Sequence, residues 1–202
     1  MPVDFLASPC TNASGNCQNE LVHCLQPITN HIFGISDANS NQRIPAKVIF
    51  DNESLWDFTI ENNLNVITYK AIDYCVEVYR TGNYNVYNDE SDIGEFASDN
   101  IDIYGYGLIK RCEGLLMNDV YILFFEIKNR PRGNWLIDAR RKFEETILSF
   151  KEHHPHLSDF IIEPIVSNKL FYRSHQSESI QKRILKDKIG IGFKVQTTFI
   201  VY

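Results

Sequence analysis

Residues 108–128 read LIKRCEGLLMNDVYILFFEIK, and the two halves of this stretch decide the fold. Leu108 to Met117 and Val120 to Lys128 are both strand-like, and Asn118-Asp119 between them reads as a two-residue hairpin turn. Side chains alternate along a strand, so Val120, Ile122, Phe124, Glu126 and Lys128 share one face. Tyr121, Leu123, Phe125 and Ile127 share the other. Only the last two members of the first set are charged, so the strand is expected at the centre of a sheet covered on both sides. With this turn Met117 pairs with Val120, Arg111 lies opposite Glu126, and Glu113 lies diagonal to Glu126 on the same face. Two carboxylates and a lysine therefore meet at one end of a buried hairpin.

Elements are placed outward from this hairpin. Past Pro131 and Gly133 a helix is expected from about Asn134 to Lys151, because Leu136, Ala139, Phe143, Ile147 and Phe150 recur at helical spacing. His154-Pro155 ends it. Phe160 to Val166 reads as a strand, with Pro164 pointing to an edge position or a bulge. Upstream, Ala46 to Phe50 and the alternation of Trp56, Phe58 and Ile60 give two strands. Between Ile67 and Tyr79 the apolar residues Ala71, Ile72, Cys75, Val76 and Tyr79 predict an amphipathic helix. Residues 81–103 read as a long acidic loop, whose part 84–102 is expected, as a hypothesis, to cover the site. Residues 1–43 read as an irregular polar arm with one short helix from Glu20, and residues 169–202 as a helix (177–188) followed by a strand (193–202). The expected organisation is thus an arm (1–43), an α/β core with a central mixed sheet (44–168) and a helix-strand extension (169–202).

The 202 residues, 44% hydrophobic and 23% charged, suit one globular domain with extensions. No basic, apolar leader opens the chain, and its longest apolar run, Val120 to Phe125, is too short to span a bilayer. Five cysteines, an odd number, argue against a disulfide framework and for a reducing, cytoplasmic setting. Cys10, Cys17 and Cys24 recur every seven residues, wider than the close pairs of most zinc sites, and are read as free thiols. The net charge of −6 excludes tight, indiscriminate nucleic-acid binding but leaves room for a local basic footprint. Arg130 and Arg132 on the loop after Lys128, with Arg140 and Arg141 on the following helix, supply that footprint for phosphate contact.

Nearby carboxylates repel unless a cation lies between them, and Mg²⁺ suits one or two carboxylates plus water and phosphate oxygens. Glu113, twelve residues, then Glu126-Ile127-Lys128 resembles the acid…(D/E)-x-K signature of the PD-(D/E)XK, or restriction-endonuclease-like, superfamily, with Cys112 standing where a proline is usual. Residues 66–168 resemble its α-β-β-β-α-β core. The resemblance implies Glu113 and Glu126 as ligands of Mg²⁺ or Mn²⁺, Lys128 as a catalytic lysine, and Asp73 or Glu77 of the first helix as a further member. The expected activity is metal-dependent hydrolysis of phosphodiester bonds in nucleic acid, with DNA the expected partner, a protein partner allowed, and a homodimer among the possible assemblies. Three other readings fit the same residues. The charges form a simple Arg111–Glu126 ion pair with Lys128 reaching solvent, a nuclease-like fold without catalysis serves as a protein- or nucleic-acid-binding subunit, or an acidic interaction module meets a basic partner.

Overall fold

The structure is a computed structural model, describing residues 3–7, 10, 24–37, 44–63, 66–80, 107–131, 133–170 and 175–202. In chain order its strands are β1 (Leu25–Ile28), β2 (Ile32–Ser36), β3 (Lys47–Ile49), β4 (Phe58–Asn62), β5 (Ile67–Ala71), β6 (Tyr79–Arg80), β7 (Gly107–Leu108), β8 (Gly114–Met117), β9 (Tyr121–Ile127), β10 (Ile161–Ser167), β11 (Lys194–Val195) and β12 (Thr198–Val201). Among the described residues two α-helices join them, α1 (Trp135–His153) between β9 and β10 and α2 (His175–Ile189) between β10 and β11. The α/β class is as expected. A six-stranded mixed sheet runs β1-β5-β8-β9-β10-β11, a four-stranded sheet runs β12-β4-β2-β3, and β6 pairs with β7. In the larger sheet β5, β8 and β9 pair antiparallel in sequence, and β10 lies parallel to β9. Among the described residues no helix is long and apolar enough to cross a membrane.

β9 is central, and every residue from Ile122 to Ile127 is buried. One of its faces meets α1, where Phe124 packs edge-on against Phe150 at 5.3 Å between ring centroids. The other meets the second sheet, with Phe125 stacked on Tyr69 and tilted against Phe58 of β4, each at 6.1 Å. The layers are thus helix, sheet and sheet. Leu136, Ala139, Phe143, Ile147 and Phe150 of α1 are all buried, as their spacing predicts.

Several expectations are corrected. Residues 67–79 are not a helix: β5 occupies Ile67–Ala71, and a turn follows in which the amides of Cys75 and Val76 both donate to the Ile72 carbonyl. Strand pairing on both sides, with β1 and β8, overrides the helical spacing, which came from that tight turn. Residues 24–36 of the supposed irregular arm form β1 and β2, so Cys24 and Leu25 are not helical, and Phe5 is fully buried against Phe150. Leu108 to Met117 is not one strand, since β7 pairs with β6 and β8 begins only at Gly114. Residues 193–202 also split, β11 joining the larger sheet and β12 the smaller. The acidic loop 81–103 and the residues Glu20–His23 lie outside the described residues.

The hairpin turn sits one residue later than expected. Asn118 and Tyr121 close it, the Asn118 amide donating to the Tyr121 carbonyl, and the Asn118 side-chain oxygen accepts from the amides of Val120 and Tyr121. This side-chain-built turn was hidden because the Asn-Asp pair itself looked like the loop. Met117 therefore faces Ile122, and Gly114 faces Phe125. A turn shifted by one residue moves the register by two, which keeps every side chain on its expected face.

Pro164 causes no bulge, because pairing with β9 is continuous from Ile161 to Ser167. The Ile161 amide donates to Val120, and Ser167 accepts from Lys128, so alternate residues from Ile161 face β9. Val166 accepts from Gln196 on the other side. Pro164 shares the parity of Val166, so its missing N–H faces away from β9, where β11 reaches only Ile165 and Val166.

Gly114 is where β5, β8 and β9 close up. A Cβ there would stand 2.6 Å from the Lys70 carbonyl oxygen and 2.6 Å from Cζ of Phe125. Gly114→Ala is expected to destabilise the fold by about 1–3 kcal/mol in urea unfolding, and an unchanged midpoint would refute this close approach.

Candidate functional site

Glu126 ends β9 at zero exposure, and continuing the hairpin register by one residue sets Glu113 directly opposite it. The amides of Ile72 and Asp73 both donate to the Glu113 carbonyl, at 2.9 and 3.3 Å, so the turn after β5 delivers Asp73 to the same place. α1 covers this face and supplies Lys142. Its ammonium stands 2.9 Å from Glu126 Oε1, 3.4 Å from Glu113 Oε1 and 3.9 Å from Asp73 Oδ2. Lys128 Nζ lies 2.8 Å from the same Glu126 oxygen and 2.6 Å from Asp138 Oδ2. Arg111 does not face Glu126. It pairs with Asp73 at 3.2 Å, correcting the simple cross-strand ion pair.

Three carboxylates thus surround one ammonium, and the cluster is not fully satisfied. Both Glu126 oxygens are buried without a hydrogen bond despite the close ammonium groups, as are Nε and Nη1 of Arg111. Burial pushes the Glu113 carboxyl well above its usual range against the pull of Lys142, and the charges of Glu126, Asp73 and Asp37 add to the rise. Burial would lower the Lys142 ammonium, but Glu126, Glu113, Asp73 and Asp138 outweigh it and hold the group well above its usual value. Lys128 is likewise raised, since Glu126 and Asp138 overcome its burial. Asp37, which follows β2, is raised to about 6 by burial and by the charge of Glu126.

The sequence-predicted residues fall into three groups. Glu113, Glu126, Lys128 and Asp73 come together. Glu77 does not join them at Lys142: without a helix, Asp73 and Glu77 no longer share a face. Among the basic residues, Arg130 is exposed two positions beyond Lys128, and Arg132 lies outside the described residues. Arg140 turns inward and is buried, pairing with Glu144 at 2.7 Å and with Gln181 of α2 at 2.9 Å. Arg141 is partly buried. Consecutive helical residues point about 100° apart, so Arg140, Arg141 and Lys142 cannot form one basic face. Arg140 is therefore corrected from a phosphate contact to a helix-helix brace.

Sequence reasoning passed over Lys142, Asp138 and Asp37. For the first two a signal existed. Asp138, Lys142 and Thr146 recur every four residues along α1, beside its apolar stripe, and such a line faces one neighbour. That neighbour is the segment before β8, where Thr146 Oγ accepts from the Cys112 amide at 2.9 Å and Glu145 accepts from the Lys110 amide. For Asp37 no local signal existed, since its place depends on the second sheet.

The cluster lies at the C-terminal ends of the parallel strands β9 and β10, the end where sheets of this kind bind ligands. A surface cleft lined by Tyr121, Glu163, Lys194 and Phe199 includes none of these residues. No protein-family model matches the chain, and neither a curated protein nor a solved structure does.

Proposed function

We propose that this chain is a divalent-cation-dependent nuclease of the PD-(D/E)XK kind, hydrolysing phosphodiester bonds of nucleic acid, with DNA the first substrate to test. One observation carries the reading: a cation, the Lys142 ammonium, is held among Glu126, Glu113 and Asp73, with Lys128 at the same oxygen of Glu126. The order β5, β8, β9, α1, β10, with the pair β6-β7 inserted after β5, is compatible with the reading, although the residues expected as a first helix form β5 and a turn.

The donor set fits a hard cation. It is all carboxylate oxygen, with Oε2 of Glu126 buried and unpartnered while Oε1 faces the two ammonium groups. Glu113 and Glu126 would hold Mg²⁺ or Mn²⁺, which when bound lowers the pKa of a coordinated water and neutralises charge on a phosphoryl oxygen. Lys128, held protonated between Glu126 and Asp138, keeps a fixed positive charge beside that position. Asp138 orients Lys128, and Arg111 orients Asp73. Arg130 is exposed beside Lys128, where a phosphate could meet it. Water is excluded from one side by α1 and from the other by the second sheet.

Supercoiled plasmid and single-stranded DNA incubated with the protein in Mn²⁺, Mg²⁺ or EDTA test the reading. Cleavage with either metal and none with EDTA is expected. No cleavage in any condition, together with no Mn²⁺-induced rise in Tm, would overturn it. The second reading, a non-catalytic binding subunit, is favoured by the fact that Lys142 already neutralises the acids; it predicts DNA or protein binding without metal uptake.

The raised carboxyls give a pH signature. A carboxyl raised by folding stabilises the metal-free protein below its ordinary range and loses that contribution as pH rises through the raised value. For Asp37 the loss runs from 3.8 up to about 6. Glu113 is raised well above its usual range in the same direction. A bound cation favours the ionised forms, so the Mn²⁺-induced rise in Tm is expected to grow between about pH 5 and about pH 8. A rise independent of pH would separate metal binding from these carboxyls.

A further inference from the structure

Away from the acid cluster, three cysteines meet that are distant in sequence. Cys10 comes from the N-terminal residues, Cys24 from the residue before β1, and Cys75 from the turn after β5. Their sulfurs all lie within 4.8 Å of one another, the Cys24 and Cys75 sulfurs at 3.0 Å. Cys24 and Cys75 are buried, and Cys10 is partly buried. Lys70 of β5, at zero exposure, directs its ammonium to the Cys10 sulfur at 3.1 Å and to the Ala7 carbonyl at 2.9 Å. A buried ammonium calls for an anion, and the Cys10 sulfur is the group with which it makes contact.

We infer that Cys10, Cys24 and Cys75 form a thiolate site for a thiophilic divalent ion, Zn²⁺, which pins the N-terminal residues to the larger sheet. Zinc–sulfur bonds of about 2.3 Å in a tetrahedral site place sulfurs about 3.8 Å apart. Cys24 and Cys75, at 3.0 Å, reach that spacing by opening about 0.8 Å, with the Cys10 sulfur within 4.8 Å of both. Binding displaces the thiol protons, and three thiolates on Zn²⁺ leave one net negative charge, which Lys70 faces. The fourth position is left for water. Among the described residues no other group of three histidine, cysteine or acidic side chains gathers its ligand atoms so closely.

The site also has a structural reach. Cys75 is two residues from Asp73, in a turn where Tyr74 holds a positive φ of 62°, a conformation that costs a non-glycine residue energy and needs support from its surroundings. Zinc on Cys75 anchors that turn, and through it the position of Asp73. The inference does not depend on the nuclease reading.

The test is zinc content of the full chain purified without chelator, by plasma mass spectrometry, followed by replacement with Co²⁺. About one zinc per chain is expected, with cobalt giving an intense thiolate-to-metal charge-transfer band that carboxylate sites do not give. Cys10→Ser and Cys24→Ser should lose most of the metal and the band, while Cys112→Ser keeps both. If the serine variants fail to fold, the wild-type cobalt spectrum decides alone. Wild-type protein that takes up no zinc, or binds cobalt without a thiolate band, overturns the inference. So does a Cys24–Cys75 disulfide in protein purified under reducing conditions.

Discussion

Glu126→Gln is expected to abolish metal-dependent cleavage, with kcat falling by a factor on the order of 10²–10³ or more. Glu126 is the fully buried acid on which the Lys128 and Lys142 ammonium groups converge, at 2.8 and 2.9 Å. Gln keeps the shape and removes the charge, so the change tests the negative charge at this oxygen and little else. Loss of cation binding should appear as a loss of the Mn²⁺-induced rise in Tm. Lys128→Ala should separate from it. It leaves Glu126 and Glu113 in place, so metal still raises Tm while kcat falls with KM little changed. A Glu126→Gln protein that cuts DNA at the wild-type rate would move the chemistry away from this hairpin altogether.

Lys142→Met should have the largest effect on stability. Its ammonium touches Glu126, Glu113 and Asp73 with a side chain only 16% exposed. Methionine retains the volume but leaves Glu113 without its cation, and Glu126 and Asp73 with Lys128 and Arg111 alone; breaking a buried pair in this way costs about 3–5 kcal/mol. For a chain of this size that corresponds to a fall in Tm on the order of 10 °C. The direction of rescue is the informative part. Mn²⁺ at about 100 times its Kd returns about 2.7 kcal/mol, so the variant should gain more from Mn²⁺ than the wild type does, because the Lys142 ammonium no longer competes for the carboxylates. Glu126→Gln combined with Lys142→Met should cost less than the two changes summed, since each removes the other's partner. Calorimetry of the four proteins with and without Mn²⁺ measures all of this. A Lys142→Met protein of wild-type stability, or one that Mn²⁺ does not rescue, would leave the ammonium a bystander and remove the main support for a cation site.

Much of this centre was legible in the chain. Glu126 and Lys128 could be placed at the end of a doubly covered strand because the pleat has a period of two and every other position from Val120 to Ile127 is apolar or aromatic. Glu113 stayed on the correct face even though the turn was misplaced by one residue, because the register moved by two. Asp73 reached the site for a different reason than expected. A helix was to carry it there together with Glu77, whereas a turn tied to the Glu113 carbonyl does so and leaves Glu77 out. Arg140 misled because three adjacent basic residues look like a patch in a string of letters and point three ways on a helix.

By itself, then, the sequence determined the α/β class, the buried central strand, the amphipathic α1 and the convergence of two acids with Lys128, since each of these follows from local periodicity and side-chain direction. Tertiary structure alone decided that Lys142 is the cation among those acids and that Asp37 lies near them. It also decided that 67–71 is a strand, and that Cys10, Cys24 and Cys75 meet across 65 residues beside Lys70. The reason is physical. Burial and pairing partners are set by which elements pack together, and the free energy of a buried charge or thiol depends on neighbours that local periodicity does not encode.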